Sequence, residues 1–455
     1  MADKKEEKKE EKLLEKSRAY SIKDASAASV TGGVGDSFIS AFAVSLNASN
    51  SQLAFLTSIP GIIAPFSQLF VLRKMEKFSR KSLVTKGVLL QALMWLPMII
   101  LAILYLYTKT PIAALLLITF FTLYAVFGSS ISGVWVSWMG DLVKKEQGAY
   151  FSKRSKIATA IALSATLIAG FILDLFSKEF VMVGFAILFS IALISRLLSR
   201  YYVNKQYEPK LKLRKGYYFS FLQFISRIRE EKNNFGKFVI FIGLIVLASN
   251  ISGPFFTPYM LRDLGMNYLT FIIIGTIITA LVTVAVLPLW GKFADRYGNV
   301  EMLKICSFII PVVPILWIFS SNIYWLGFIQ IVSGIGWAGF NLAASNFLYD
   351  VVTPARRGLC SAYQSILNGI GVFIGASIGG LLVKLPAGLI GMNILLFVFL
   401  VSGILRLIIS IIFVNKIKEV KPVKDFKVED KIYRLIPNQL NHFIPNNLTH
   451  HKIYK

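Results

Sequence analysis

Asp36 is the one acidic side chain in an apolar run from about residue 26 to 46. It lies twelve residues beyond Asp24. At 1.5 Å per helical residue that is about 18 Å, near the middle of a hydrocarbon core about 30 Å thick. A charge at that depth costs at least about 2.5–3.5 kcal/mol, so the side chain is not expected to face lipid. Two chemistries fit. One is a carboxylate that binds a proton or a substrate. The other is a structural acid held by hydroxyls and amides, or placed nearer to water than this count suggests. Gly32, Gly33 and Gly35 just before it permit close helix approach or local unwinding.

Little else in the apolar runs could do covalent chemistry. The three histidines, His442, His450 and His451, all fall in the last fourteen residues, which excludes a histidine proton relay within a membrane. Cys306 and Cys360 form neither a disulfide framework nor a metal-ligand spacing. No phosphate-binding glycine loop is present. No catalytic residue, metal or cofactor is therefore expected, and the chain is not expected to be an enzyme. Arg196 and Arg406 lie about two helical turns inside the ends of their runs. They are expected to snorkel to headgroups, with a link to Asp141 or Asp350 as the alternative.

These groups need elements to hold them. The chain has 455 residues, 55% hydrophobic and 16% charged, with a mean hydropathy of +0.63. That is too little charge to cover a soluble protein of this size. Twelve apolar runs cover roughly 26–46, 52–72, 83–107, 111–139, 157–177, 180–202, 237–258, 268–290, 303–320, 323–348, 360–383 and 388–414. Each is long enough for a membrane-spanning helix, which satisfies its own backbone in lipid. The expected fold is an all-α polytopic membrane protein. The net charge of +25 would suggest nucleic acid in a soluble chain. Here it resides in tails and loops that suit anionic lipid, so the expected partners are the bilayer and a small-molecule solute, with no nucleic acid. Alternate loops hold 25 Lys and Arg, against Lys109, Lys178, Arg262 and Lys384 in the others, so both termini are expected in the cytoplasm. No cleavable signal peptide is expected at the charged N-terminus.

The boundaries expected are a charged tail at 1–24, six spans at 25–203, a linker at 204–236, six spans at 237–415 and a basic tail at 416–455. Lys4 to Lys12 repeats its charges with a period of four. Like charges stack at that spacing, so residues 1–20 are expected to be solvated and mostly disordered. The two halves echo each other. Val203-Asn204-Lys205 follows span 6 and Val414-Asn415-Lys416 follows span 12, while Asp141 and Asp350 end spans 4 and 10. Aromatic residues from Tyr217 to Ile225 suggest an interfacial helix in the linker. The C-terminal tail repeats Ile436-Pro437-Asn438 as Ile444-Pro445-Asn446; no function is read from it.

Between spans 8 and 9 lies Gly291-Lys292-Phe293-Ala294-Asp295-Arg296-Tyr297-Gly298, expected to be a short charged hairpin at a membrane face. This Gly–x–x–x–Asp–Arg–x–Gly pattern, the six-plus-six spans, the basic central loop and the inward termini resemble the major facilitator superfamily over roughly residues 25–415. In the first half Leu72 and Ser79 stand where the signature has glycines, and Glu76 where it has aspartate.

The resemblance implies two pseudo-symmetric six-helix bundles that rock about a cavity lined by spans 1, 4, 7 and 10. Those spans supply Asp36, Ser129, Ser132, Trp135, Asn250, Trp337, Asn341, Ser345 and Asn346. Aromatics beside amides suit a neutral or amphipathic organic solute, although each could equally serve helix packing or the interface. The resemblance also implies a cytoplasmic gate. Gly291, Asp295, Arg296 and Gly298 would meet the start of span 5 near Lys153 and Arg154. Glu76 would meet the start of span 11 near Arg356 and Arg357. The carboxylates would suit the positive ends of those helices. The function expected is proton-coupled secondary transport of a small organic solute by a monomer in the plasma membrane. The alternatives are an uncoupled facilitator, or a sensor or scaffold that keeps the fold.

Overall fold

The computed structural model describes residues 2–75, 77–143, 147–209, 220–228, 233–352, 357–386, 391–420 and 422–423. All regular structure among them is helical. Twelve helical segments are long and apolar enough to cross a membrane: Glu11–Ser45, Asn50–Val71, Arg80–Thr108, Ala113–Leu142, Ala149–Asp174, Val181–Lys205, Asn234–Asp263, Tyr268–Tyr297, Asn299–Leu316, Ile323–Leu348, Leu359–Leu382 and Ile394–Lys416. Several start at a side-chain cap of the expected kind. Ser79 accepts from the Ser82 amide, and Asn267, Asn322 and Asn393 do the same for the helices they precede.

The spans form two bundles of six with matching contacts. Span 1 packs on spans 5 and 6, span 2 on span 4, and span 3 on spans 4 and 6. Span 7 packs on spans 11 and 12, span 8 on span 10, and span 9 on spans 10 and 12. The bundles meet where span 2 lies on span 11 and span 5 on span 8. Span 11 approaches span 7 backbone to backbone: a Cβ on Gly375 would lie 2.1 Å from the Leu247 carbonyl oxygen, and one on Gly379 2.2 Å from that of Ile251. The glycines of span 11 thus serve close packing.

Each bundle is also fastened by carboxylates at its terminal face, the face where the described residues of the chain begin and end. Glu208, just after span 6, accepts from the Arg80 and Lys81 amides at the start of span 3. Glu419, just after span 12, accepts from the Val300 amide at the start of span 9. Asp141 pairs with Arg80 at 2.6 Å, and Asp350 accepts from Asn299 at 2.7 Å.

Two expectations need correction. The N-terminal segment is helical from Ala2 to Val34, continuous with span 1. Its inner face carries Leu14, Ser17 and Ser21, all buried. Arg18 donates to the Leu142 carbonyl and Ser17 accepts from the Tyr207 amide, so the end of the first bundle holds a stretch read as disordered. Residues 291–298 are not a hairpin loop. Span 8 stays helical through Tyr297, and Gly298 alone makes the turn at φ 93°. Gly291 is accommodated within the helix, and only Gly298 breaks it. In the linker, the helix spans Phe221–Ile228 and sets Phe221 and Phe224 against Tyr363 of the second bundle. The neighbouring Tyr217–Phe219, and the Ile-Pro-Asn repeat of the tail, lie outside the described residues.

Candidate functional site

Span 1 breaks where its acid stands. The helix ends at Val34, a single 3-10 turn covers Asp36–Phe38, and the helix resumes at Ile39–Ser45. A Cβ on Gly35 would lie 2.4 Å from the Trp95 ring, so the break is pressed against span 3. Asp36 is accessible at this break. Tyr124 of span 4 and the Arg196 guanidinium lie near its carboxylate. Tyr124 is buried and edge-on to Trp95.

Arg196 neither snorkels nor reaches Asp141. Its Nε and Nη2 both donate to the Gln91 side-chain oxygen, at 2.9 and 2.6 Å, and Nη1 donates to Ser199. Ser199 donates in turn to Asp24 at 2.6 Å. Asp24 also pairs with Arg154 at 3.7 Å, and the Arg154 guanidinium lies 4.6 Å from the centre of the Trp135 ring. One polar chain thus runs from Trp135 through Arg154, Asp24 and Ser199 to Arg196, with Asp36 beside its end. Asp24, Gln91 and Tyr124 escaped sequence reading. Polar residues inside apolar runs were the available signal, but which spans face one another was not.

The other candidates divide. Ser129 accepts from Gln68, and the exposed Ser132 donates back to the Ser129 carbonyl. Asn250 donates to the Val246 carbonyl of its own helix. Trp337, Asn341 and Ser345 follow at four-residue spacing on the accessible side of span 10. Asn346 does not join them: it donates to Asn299 in the cluster that holds Asp350. Span 7 breaks as span 1 does, with a 3-10 turn at Gly253–Phe255. Arg406 is 3% exposed, buried among spans 7, 9 and 12 rather than at a headgroup.

The expected gate contact is not made here. Asp295 is exposed and has no ion pair among the described residues, while Arg154 is engaged by Asp24. Gly291 has open space around it, and Arg296 stacks on the adjacent Tyr297. Glu76, Arg356 and the Arg357 side chain lie outside the described residues. Among the described residues the hydrogen bonds joining the bundles gather at the face opposite the termini. Asp174, at the end of span 5, accepts from the Tyr268 and Leu269 amides at 2.7 and 2.9 Å, capping the start of span 8. Ser45 bonds Tyr268, and Arg262 donates to the Ala48 carbonyl at 2.6 Å. The structure is therefore fastened on that face, while Asp295 at the terminal face makes no ion pair among the described residues.

Residues 238–445 match the sequence model of the family described as Major Facilitator Superfamily. A mutant form of the nucleoside transporter NupG shares the fold with a TM-score of 0.65 and 16% identity, covering 89% of this chain and 100% of that one. The family match covers a little under half of the chain, and the structural likeness shows the shared fold. The chain is similar to "Vacuolar basic amino acid transporter 2" of Saccharomyces cerevisiae, 34% identical over 93 residues, 20% of each chain. It is also similar to "Multi-drug resistance efflux pump PmrA homolog" of Lactococcus lactis subsp. lactis, 26% identical over 229 residues, 49% of this chain and 55% of that one. The chain spans about a fifth of the length of the first of these relatives.

Proposed function

We propose that this protein is a secondary active transporter that moves a small organic solute across the plasma membrane by alternating access, coupled to protons through Asp36. The observation that carries the reading is Asp36 itself, an accessible carboxylate at a break in span 1, with Tyr124 and Arg196 nearby. A carboxylate at this depth that can exchange partners is suited to take up and release a proton. Relatives named for basic amino acids and for multidrug efflux support solutes with a cationic or amphipathic part, for which an acid is a natural partner. In this reading the termini are cytoplasmic, the protein works as a monomer, and the exposed Asp295 belongs to an inward-open state. Closure of the terminal face would then bring Asp295 to the start of span 5 as the Asp174 cap on span 8 releases.

Replacing Asp36 with Asn tests the coupling. Uptake or counterflow driven by a pH gradient in proteoliposomes should be lost, while binding of solute to the detergent-purified variant is followed separately by thermal shift. Intact pH-driven flux in Asp36→Asn would sink the assignment.

A further inference from the structure

A cavity of about 240 Å³ lies between spans 7, 8, 9, 10 and 12 in the second bundle. Arg406, Ser249 and Trp317 line it, together with Gln330, Ser333 and Trp337. Three of these carry a buried polar atom with no partner among the described residues: Nε of Arg406, Oγ of Ser249 and Nε1 of Trp317. Buried polar groups in folded proteins nearly always find partners, so three orphans on one cavity need an explanation. All three can donate a hydrogen bond. The Arg406 guanidinium donates to the Ile310 and Ser249 carbonyls and to the Ser252 hydroxyl, which occupies three of its five N–H groups. No carboxylate of the described residues lies within ion-pair distance of it.

The first bundle shows the contrast. Its Arg196 has a side-chain oxygen on two of its nitrogens and sits near Asp24 and Asp36. In the second bundle the cation is present and the anion is missing. A buried charge without a counter-charge is costly, which favours a ligand that brings one.

We propose that this cavity is a binding subsite for the carboxylate of an organic anion with an aromatic or apolar body. The carboxylate would accept from Arg406 Nε, with Ser249 and Trp317 donating beside it, and the body would rest on Trp337 and Trp317. The proposal rests on the transport reading and narrows it to the amphipathic solutes, those with a carboxylate end for Arg406, and its test needs no flux.

Indole-3-acetate and 4-phenylbutyrate are each compared with the corresponding neutral amide, by calorimetry on the full chain in detergent. Each acid should bind about tenfold or more tightly than its amide. Arg406→Gln should erase that preference and leave amide affinity within about twofold of wild type. Should Arg406→Gln fail to fold, Arg406→Lys keeps the charge but loses the planar fork, and the preference should shrink several-fold. Equal affinity of acid and amide in both pairs overturns the proposal, as does failure of either acid to bind at millimolar concentration. So does a preference that survives in Arg406→Gln, or stabilisation by chloride without discrimination between acid and amide. An acid preference in a protein that carries no flux would keep the subsite and remove the transporter reading.

Discussion

Gly298 holds the turn between spans 8 and 9 with φ 93° and ψ 163°, a region essentially closed to other residues. A Cβ there would also lie 2.3 Å from a Glu419 carboxylate oxygen. Gly298→Ala should therefore destabilise the fold by about 1–3 kcal/mol, read as a lower midpoint in thermal unfolding of the purified protein. An unchanged midpoint would refute the strain. The sequence flagged this glycine as part of a gate signature, but its role here is to turn the chain. Asp36 was legible because one acid in an apolar run is conspicuous by itself. Arg406 was equally visible, yet its lack of an acid partner was not, because its neighbours come from spans 7 and 9 and their approach is a tertiary fact.

At the scale of elements, spans were read well from apolar length because lipid leaves the backbone few other choices. Their ends were read poorly. The octapeptide at 291–298 is polar, which suggests a loop, whereas span 8 stays helical through to Tyr297 because polar residues do not themselves end a helix at a membrane face. Which face is fastened was also hidden, since a carboxylate that caps a helix of the other bundle leaves no periodic trace. Asp174 is that carboxylate. A charge at a helix N-terminus contributes about 0.3–1 kcal/mol, and up to ~2 kcal/mol when partly buried. Asp174→Asn should thus shift the population away from the conformer seen here by a few-fold to about tenfold. Spin-label distances across the tops of spans 5 and 8 would read the shift, and an unchanged distance distribution would remove Asp174 from the latch.

For the whole molecule, the proposed orientation of all twelve spans rests on the imbalance of Lys and Arg between alternate loops. A cysteine introduced as Ala2→Cys should resist a membrane-impermeant thiol reagent in intact cells and react after permeabilisation. Ser321→Cys should do the reverse. Background is low because Cys306 and Cys360 are buried. Labelling of Ala2→Cys from outside would invert the topology. The pairing of the two halves was legible in part, through Val203-Asn204-Lys205 and Val414-Asn415-Lys416. The echo extends five residues past each valine, to Glu208 and Glu419, which cap spans 3 and 9. These fasteners bear on how the protein is made. The Glu208 contact needs nothing beyond residue 209, because Arg80 takes Glu208 and the Pro209 carbonyl together. Every residue that this fastener needs has therefore left the ribosome before any span of the second bundle, so the first bundle can lock without the second.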